Sequence, residues 1–340
     1  MKKKPLRVVF VGFGHVARKM ASMLTAEREK FPGLSGLELE PLAIFTGKHG
    51  ALVDPSGIDL GKALAQYEEN GAFPKASMTV LQALETLDYD VLVELSALDI
   101  ARRGEPAIAH VRAALERGRH AVTANKGPAA FAYRELKNLA EKNKVYFLFE
   151  SAVMDGTPIF GLPRILPGCR VAGFSGILNT TTNFVISRLE QGESMDSAVK
   201  TAQRLGFAEA DPSLDLEGWD AAAKTAILAN VFMDAGMTPL QVERRGIVGL
   251  TATEAGRARD RGRCLKLICR GWLDNGKVRA GVSLEEVPWG EFFAAVGGKG
   301  SCLRIETDML GPIMINQEKP TLYDTASGVL FDLLTAAAQG

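Results

Sequence analysis

Leu6-Arg7-Val8-Val9-Phe10-Val11-Gly12-Phe13-Gly14-His15-Val16-Ala17 decides the fold. A continuous apolar run reads as a strand buried on both faces, broken at once by a G-x-G-x-x-A turn, and Arg18 to Thr25 then reads as helix. Gly12 makes the tight turn, Gly14 lets a pyrophosphate approach the backbone, and the small Ala17 lets helix and strand pack. The helix N-terminus then faces an anion with free N–H groups and a favourable dipole. Gly12, Phe13, Gly14, His15, Val16 and Ala17 are therefore candidate dinucleotide-binding residues.

Working outward, Glu38–Phe45, Asp90–Leu95, His120–Thr123 and Lys144–Phe149 read as further strands, with a capped amphipathic helix over Pro106–Arg117. This is an α/β pattern, a doubly wound parallel sheet of the Rossmann type over residues 1–150. The second strand ends in Thr46-Gly47-Lys48-His49 rather than in an acid for a ribose hydroxyl, so Thr46 and Lys48 favour a 2′-phosphate and NADP over NAD. Ser96 follows one strand end, and Lys126, before a Gly-Pro break, follows another, where such sheets place ligands.

From residue 151 the pattern changes. Arg170–Phe174 and Gly176–Asn179 read as strand, then Thr180-Thr181-Thr182-Asn183 caps a helix over Phe184–Leu189. Short strands are expected at Val278–Val282 and Ser301–Thr307. Residues 151–315 form a second, α+β domain with a mixed sheet, and residues 316–340 end in a helix that packs back on the first. Between them, Gln203 to Lys224 carries Glu209, Asp211 and Asp215 on a loop, then a helix from Gly218 on which Asp220 and Lys224 share a face. The apolar run Thr225–Met233 buries that helix, and an ion pair entering a core is expensive unless it has a job.

Hydrophobic content of 46 % with 40 acidic and 40 basic residues fits a globular protein with no electrostatic footprint for nucleic acid or an anionic membrane. The four cysteines lack C-x-x-C spacing, which supports neither zinc nor a disulfide framework and fits a reducing cytoplasm. The basic start has too short an apolar run for a signal peptide. No segment is long enough to span a bilayer.

Taken together, the glycine turn, Asn125-Lys126, Gly176-Ile-Leu-Asn-x-Thr-Thr-Asn183 and Gly206-Phe-Ala-Glu209-Ala-Asp-Pro212…Asp215…Asp220-Ala-Ala-x-Lys224 resemble homoserine dehydrogenases. The resemblance implies a nucleotide domain, a substrate and dimerisation domain, and NAD(P)-dependent interconversion of L-homoserine and L-aspartate 4-semialdehyde by a homodimer or homotetramer. It implies that Glu209 and Asp220 hold the amino acid, that Asp215 supports that site, and that Lys126 and Lys224 flank the reacting oxygen, Lys224 moving the proton. Lys224, Lys126 and Asp220 are thus the catalytic candidates, and Glu209, Asp215 and Thr181 the substrate-binding ones. It also implies a monovalent cation, Na+ or K+, near Glu150 and Val153. The chain departs from the family pattern at Val153-Met154-Asp155-Gly156, at Thr180, and at Gln317–Ser327. No appended regulatory domain or fused kinase is expected. The alternatives are a dehydrogenase of another small hydroxy or oxo acid, or a non-catalytic NAD(P)-binding regulator.

Overall fold

The computed structural model describes residues 4–206 and 208–338. Met1, Lys2 and Lys3 of the basic start and Phe207 of the acidic motif lie outside the described residues. The chain divides into two units, Met1–Phe160 with Thr321–Gly340, and Gly161–Pro320.

The first unit is built on β1 (Leu6–Val11), β2 (Leu39–Phe45), β3 (Ala51–Val53), β4 (Val91–Glu94), β5 (His120–Thr123) and β6 (Phe147–Leu148), ordered β3-β2-β1-β4-β5-β6. All neighbours are parallel except β3, which runs antiparallel to β2. Alternation along β1 explains why it is apolar throughout. Val8 and Phe10 enter one core with residues of α1 (His15–Leu24), while Val9 and Val11 enter another. α2 (Leu60–Asn70), α3 (Val80–Thr86), α4 (Ala107–Glu116), α5 (Lys126–Phe131) and α6 (Tyr133–Asn143) complete the layers.

The second unit begins with α7 (Leu162–Ile165). Its sheet is ordered β12-β11-β7-β9-β10-β8, from β7 (Val171–Ile177), β8 (Glu243–Arg244), β9 (Arg263–Asp274), β10 (Lys277–Pro288), β11 (Ser301–Thr307) and β12 (Ile313–Gln317). Its pairs are antiparallel except β8 with β10, so the sheet is mixed. α8 (Thr180–Glu190), α11 (Trp219–Met233) and α12 (Ala252–Asp260) pack on it, with α9 (Met195–Arg204), α10 (Ser213–Leu216) and α13 (Phe292–Ala295) between. α14 (Leu322–Ala337) belongs to the first unit again, where Val329, Leu330 and Leu333 join the core of α1.

Several boundaries differ from the sequence reading. The strand expected over Lys144–Phe149 is only Phe147–Leu148, because Lys144 closes α6 in the left-handed region at φ 55. The expected Val278–Val282 strand is one arm of a long β9–β10 hairpin. β9 is absent from the sequence reading because Lys266 interrupts its apolar pattern, yet Lys266 is buried, its Nζ donating to the Val296 carbonyl at 2.7 Å. All four cysteines are free. No helix among the described residues is long and apolar enough to cross a membrane.

α14 is tied to the turn after β6. Gly156, at φ 87, has no room for a side chain, since a Cβ there would lie 2.7 Å from the Asp324 carbonyl oxygen and the Gly328 Cα. Asp332, inside α14, is buried and accepts the Glu150 N–H at 2.9 Å. Burial first, then the nearby Glu150 charge, push its carboxyl up to about 8. An acid raised in the folded state loses stability as pH rises from its unfolded value through the folded one. Asp332→Asn keeps an acceptor for Glu150 and removes that penalty. At pH 7 it should stabilise the chain by roughly 4 kcal/mol, with the gain vanishing near pH 4. Thermal unfolding across that range checks this, and a pH-independent difference would contradict it.

Candidate active site

On the first unit the site is the carboxyl end of the sheet around β1 and β4, where the strand order reverses. Gly12 must be glycine, because a Cβ would lie 2.6 Å from the Leu95 carbonyl and 2.8 Å from the Ser96 nitrogen. Gly14 opens α1 in an extended conformation, with no side chain capping the helix and open space beside its Cα. These features fit a pyrophosphate, which would take the helix N–H groups left uncapped. Ala17 is buried as the packing argument requires, and His15 is exposed with Val16 half-buried. Phe13 differs, since its ring lies in the core against Tyr67 and Phe73 at 5.6 and 5.5 Å, leaving only its backbone for a ligand.

Thr46 also differs from an open phosphate contact. Its hydroxyl donates to the Gly50 carbonyl at 2.8 Å and accepts the His49 N–H at 2.8 Å, closing its own turn. Lys48 is exposed beside it. Lys126 does not precede a chain break; it opens α5, with Asn125 as N-cap accepting the Gly127 N–H at 2.8 Å. Pro128 falls in the first helical turn, where its missing N–H has no helical acceptor to lose.

At the expected cation position, Glu150 Oε1 receives the backbone N–H groups of Ile159 (2.5 Å) and Phe160 (2.8 Å). The Met154 carbonyl receives that of Thr157 at 2.9 Å, and Val153 is buried. No group of three or more His, Cys, Asp or Glu among the described residues is arranged to hold a metal ion.

On the second unit the cluster forms around Asn179. Thr180 to Asn183 do not precede the helix; they form the first turn of α8, and Asn179 is the cap, its Oδ1 accepting the Thr182 N–H at 2.8 Å. That bond fixes the amide's orientation. Its Nδ2 therefore donates to Asp215 Oδ1 at 2.6 Å and to Asp220 Oδ2 at 2.9 Å. Asp215 is not on a loop but on α10, and Asp220 is in the first turn of α11, where the helix dipole favours an anion. Asp220 Oδ2 also lies 3.0 Å from Lys224 Nζ, which donates to the Leu178 carbonyl at 2.7 Å. Burial, then repulsion from Asp220, raise the Asp215 pKa, against hydrogen bonds from Asn179 and Thr181 and the Lys224 charge. Thr181 is buried at the start of α8. Glu209 is exposed, and its carbonyl accepts from Gln203 Nε2 at 3.1 Å.

Asp215, Asp220, Lys224 and Thr181 thus come together from three helices within 44 residues of sequence, organised by the Asn179 side chain and the Leu178 carbonyl, which the sequence reading does not include. An asparagine directly ahead of a threonine-rich helix start was the available signal.

A glycine-turn nucleotide sheet and a separate mixed-sheet unit whose helix α11 bears a held lysine define the dinucleotide-dependent dehydrogenase class. Family models agree in both units: "Homoserine dehydrogenase, NAD binding domain" matches residues 12–150 and "Homoserine dehydrogenase" matches residues 158–334. The chain is 32% identical over 335 residues to the NAD(+)-dependent homoserine dehydrogenase of Pseudomonas canavaninivorans, covering 96% of this chain and 95% of that protein. It is also 32% identical over 336 residues to homoserine dehydrogenase of Methanocaldococcus jannaschii, covering 96% and 97%. The crystal structure of a putative homoserine dehydrogenase from Archaeoglobus fulgidus superposes with a TM-score of 0.84 at 31% identity, covering 97% of this chain and 98% of that one. The chain belongs to the homoserine dehydrogenase family.

Asp215→Asn tests the electrostatics of the cluster. A carboxyl raised in the folded state weakens stability above its unfolded pKa, so the amide variant should unfold at a higher temperature at pH 7 and match the parent in acid. Equal or lower stability of the variant at pH 7 would contradict the assigned burial and repulsion.

Proposed function

We propose that this chain interconverts L-homoserine and L-aspartate 4-semialdehyde as an NAD(P)-dependent oxidoreductase. The observation that carries the reading is the Lys224 ammonium, gripped by Asp220 at 3.0 Å and the Leu178 carbonyl at 2.7 Å beside a second, half-buried carboxylate, Asp215. A nicotinamide dinucleotide, when bound, accepts or returns a hydride at the substrate carbon. Lys224, in its neutral form, takes the hydroxyl proton of L-homoserine as that carbon is oxidised. In the reverse direction the Lys224 ammonium gives a proton to the carbonyl oxygen as it becomes alkoxide-like. Asp220 aims the lysine, and its negative charge favours the ammonium.

The remaining groups suit an α-amino acid. Asp215 and Glu209 supply negative charge for the substrate ammonium, and the Thr181 hydroxyl at the start of α8, which donates to Asp215, steadies that carboxylate against the substrate. Gly12 to Ala17 and Ser96 hold the dinucleotide, with Phe13 contributing backbone alone. Lys126, at the N-terminus of α5, adds a positive charge at the nucleotide end of its sheet. The turn after β2 bears Lys48 and His49 and no acid, which supports NADP over NAD. A monovalent cation, Na+ or K+, near Glu150 and Val153 would share Glu150 with the Ile159 and Phe160 N–H groups that its Oε1 already accepts.

Exposed Ile165, Met309, Leu310 and Met314 on the second unit support assembly of this unit with a second copy, as a homodimer or homotetramer. Sedimentation equilibrium should return a dimer or tetramer, and a monomer at micromolar concentration would contradict it. Lys224→Ala should lower kcat by roughly 100- to 10,000-fold while leaving dinucleotide affinity within about twofold, a tolerance of under half a kcal/mol. Steady-state assays with L-homoserine and each dinucleotide check this. Unchanged turnover would remove Lys224 from the mechanism, and a higher kcat/KM with NAD would reverse the NADP assignment.

A further inference from the structure

Glu94, the last residue of β4, has no part in the reading above, yet it is fully buried. A carboxylate in such a place costs stability that an apolar side chain would not. Its Oε2 has no hydrogen-bond partner among the described residues, and the same holds for Nδ1 of the buried His110, which lies 3.8 Å from Glu94 Oε1. The one hydrogen bond its carboxylate receives comes from Ser96 Oγ, at 2.5 Å.

A serine hydroxyl has one proton and two lone pairs, and here the neighbours dictate their use. Asn125 Oδ1 is committed to the Gly127 N–H at 2.8 Å. Its Nδ2 therefore faces the Ala97 carbonyl at 3.3 Å and Ser96 Oγ at 3.1 Å. Ser96 accepts from Asn125 and gives its only proton to Glu94. What remains is one lone pair on a half-buried oxygen, next to the glycine turn whose Gly12 has no space for a Cβ against the Ser96 nitrogen. Such an oxygen repels phosphate oxygens and takes a donor.

We infer that Glu94 is a positioning residue that fixes Ser96 as an obligate hydrogen-bond acceptor, so that this end of the nucleotide sheet selects a donor group of the dinucleotide, a ribose hydroxyl or the carboxamide NH2. The inference rests on the dinucleotide-binding reading given above and adds the polarity of one contact within it. His110 Nδ1 lies 3.8 Å from the same Glu94 oxygen that Ser96 bonds, and Asn125, by capping α5, ties the network to the backbone that carries Lys126.

The test is a set of dissociation constants for the reduced dinucleotide and for its 3-acetylpyridine analogue, which keeps both riboses and replaces the amide with a methyl ketone. Ser96→Ala should weaken the natural dinucleotide by about tenfold, the worth of one hydrogen bond. Glu94→Met should weaken it comparably, because the freed hydroxyl then turns its proton toward the ligand, and Glu94→Gln, whose amide oxygen accepts that proton, should restore binding. The double variant Glu94→Met with Ser96→Ala should bind no worse than the weaker single variant, whereas a purely structural role for Glu94 would make the losses add. A Ser96→Ala loss confined to the carboxamide form identifies the amide as the donor, and an equal loss in both forms identifies a ribose hydroxyl. Should Glu94→Met fail to fold, Glu94→Leu takes its place in the comparison with Glu94→Gln, and binding by Glu94→Leu as tight as by Glu94→Gln overturns the inference. Unchanged or tighter binding by Ser96→Ala, or additive losses, overturns the inference while leaving the dinucleotide reading intact. Failure of the parent protein to bind either dinucleotide overturns both.

Discussion

The amide of Asn179 is the constraint on which the second unit's chemistry depends. Its oxygen is committed to the first turn of α8, so its nitrogen has to point at Asp215 and Asp220, and it brings two acids from separate helices to one donor. Two carboxylates this close repel, and burial sharpens the repulsion. Lys224, one turn along α11 from Asp220, offsets part of that charge while its Nζ also reaches the Leu178 carbonyl. The Leu178–Asn179 step at the end of β7 therefore sets both the acids and the base. Removing the Asn179 amide would take away the donor that Asp215 and Asp220 share and leave the start of α8 without its side-chain cap.

The first unit solves a different problem with the same economy of parts. Its strands are apolar on both faces, so polar groups gather only where the strands end. There the backbone of Leu95 and Ser96 crowds Gly12, and the Glu94–Ser96–Asn125 network fills the space behind the turn. α1 begins without a side-chain cap, which leaves its first N–H groups to an anion. α14 belongs to this unit and shares the core of α1, while Asp332 and Gly156 fasten it to the turn after β6.

Much of this was legible in the sequence where periodicity is strong. β1 with its glycine turn, the apolar α11 and the long C-terminal helix all declare themselves by pattern, and order alone placed Asp220 and Lys224 on one face. The misses have physical causes. β9 hides a buried lysine whose charge is met by carbonyls from distant segments, which local sequence does not show. Asp215 reads as loop in sequence because α10 is a single short turn. Thr46 reads as open to a phosphate, but its hydroxyl bonds within its own turn. The roles of Asn179, Asn125 and Glu94 were invisible for a common reason, since each acts through partners that only the folded chain brings near.

The account stands or falls on where the amino acid lies relative to Lys224. A crystal structure with L-homoserine bound should show its hydroxyl oxygen within hydrogen-bond reach of Lys224 Nζ and its ammonium toward the Asp215 carboxylate. An amino acid bound with its hydroxyl out of reach of Lys224, and Asp215 facing the substrate carboxylate, would contradict it.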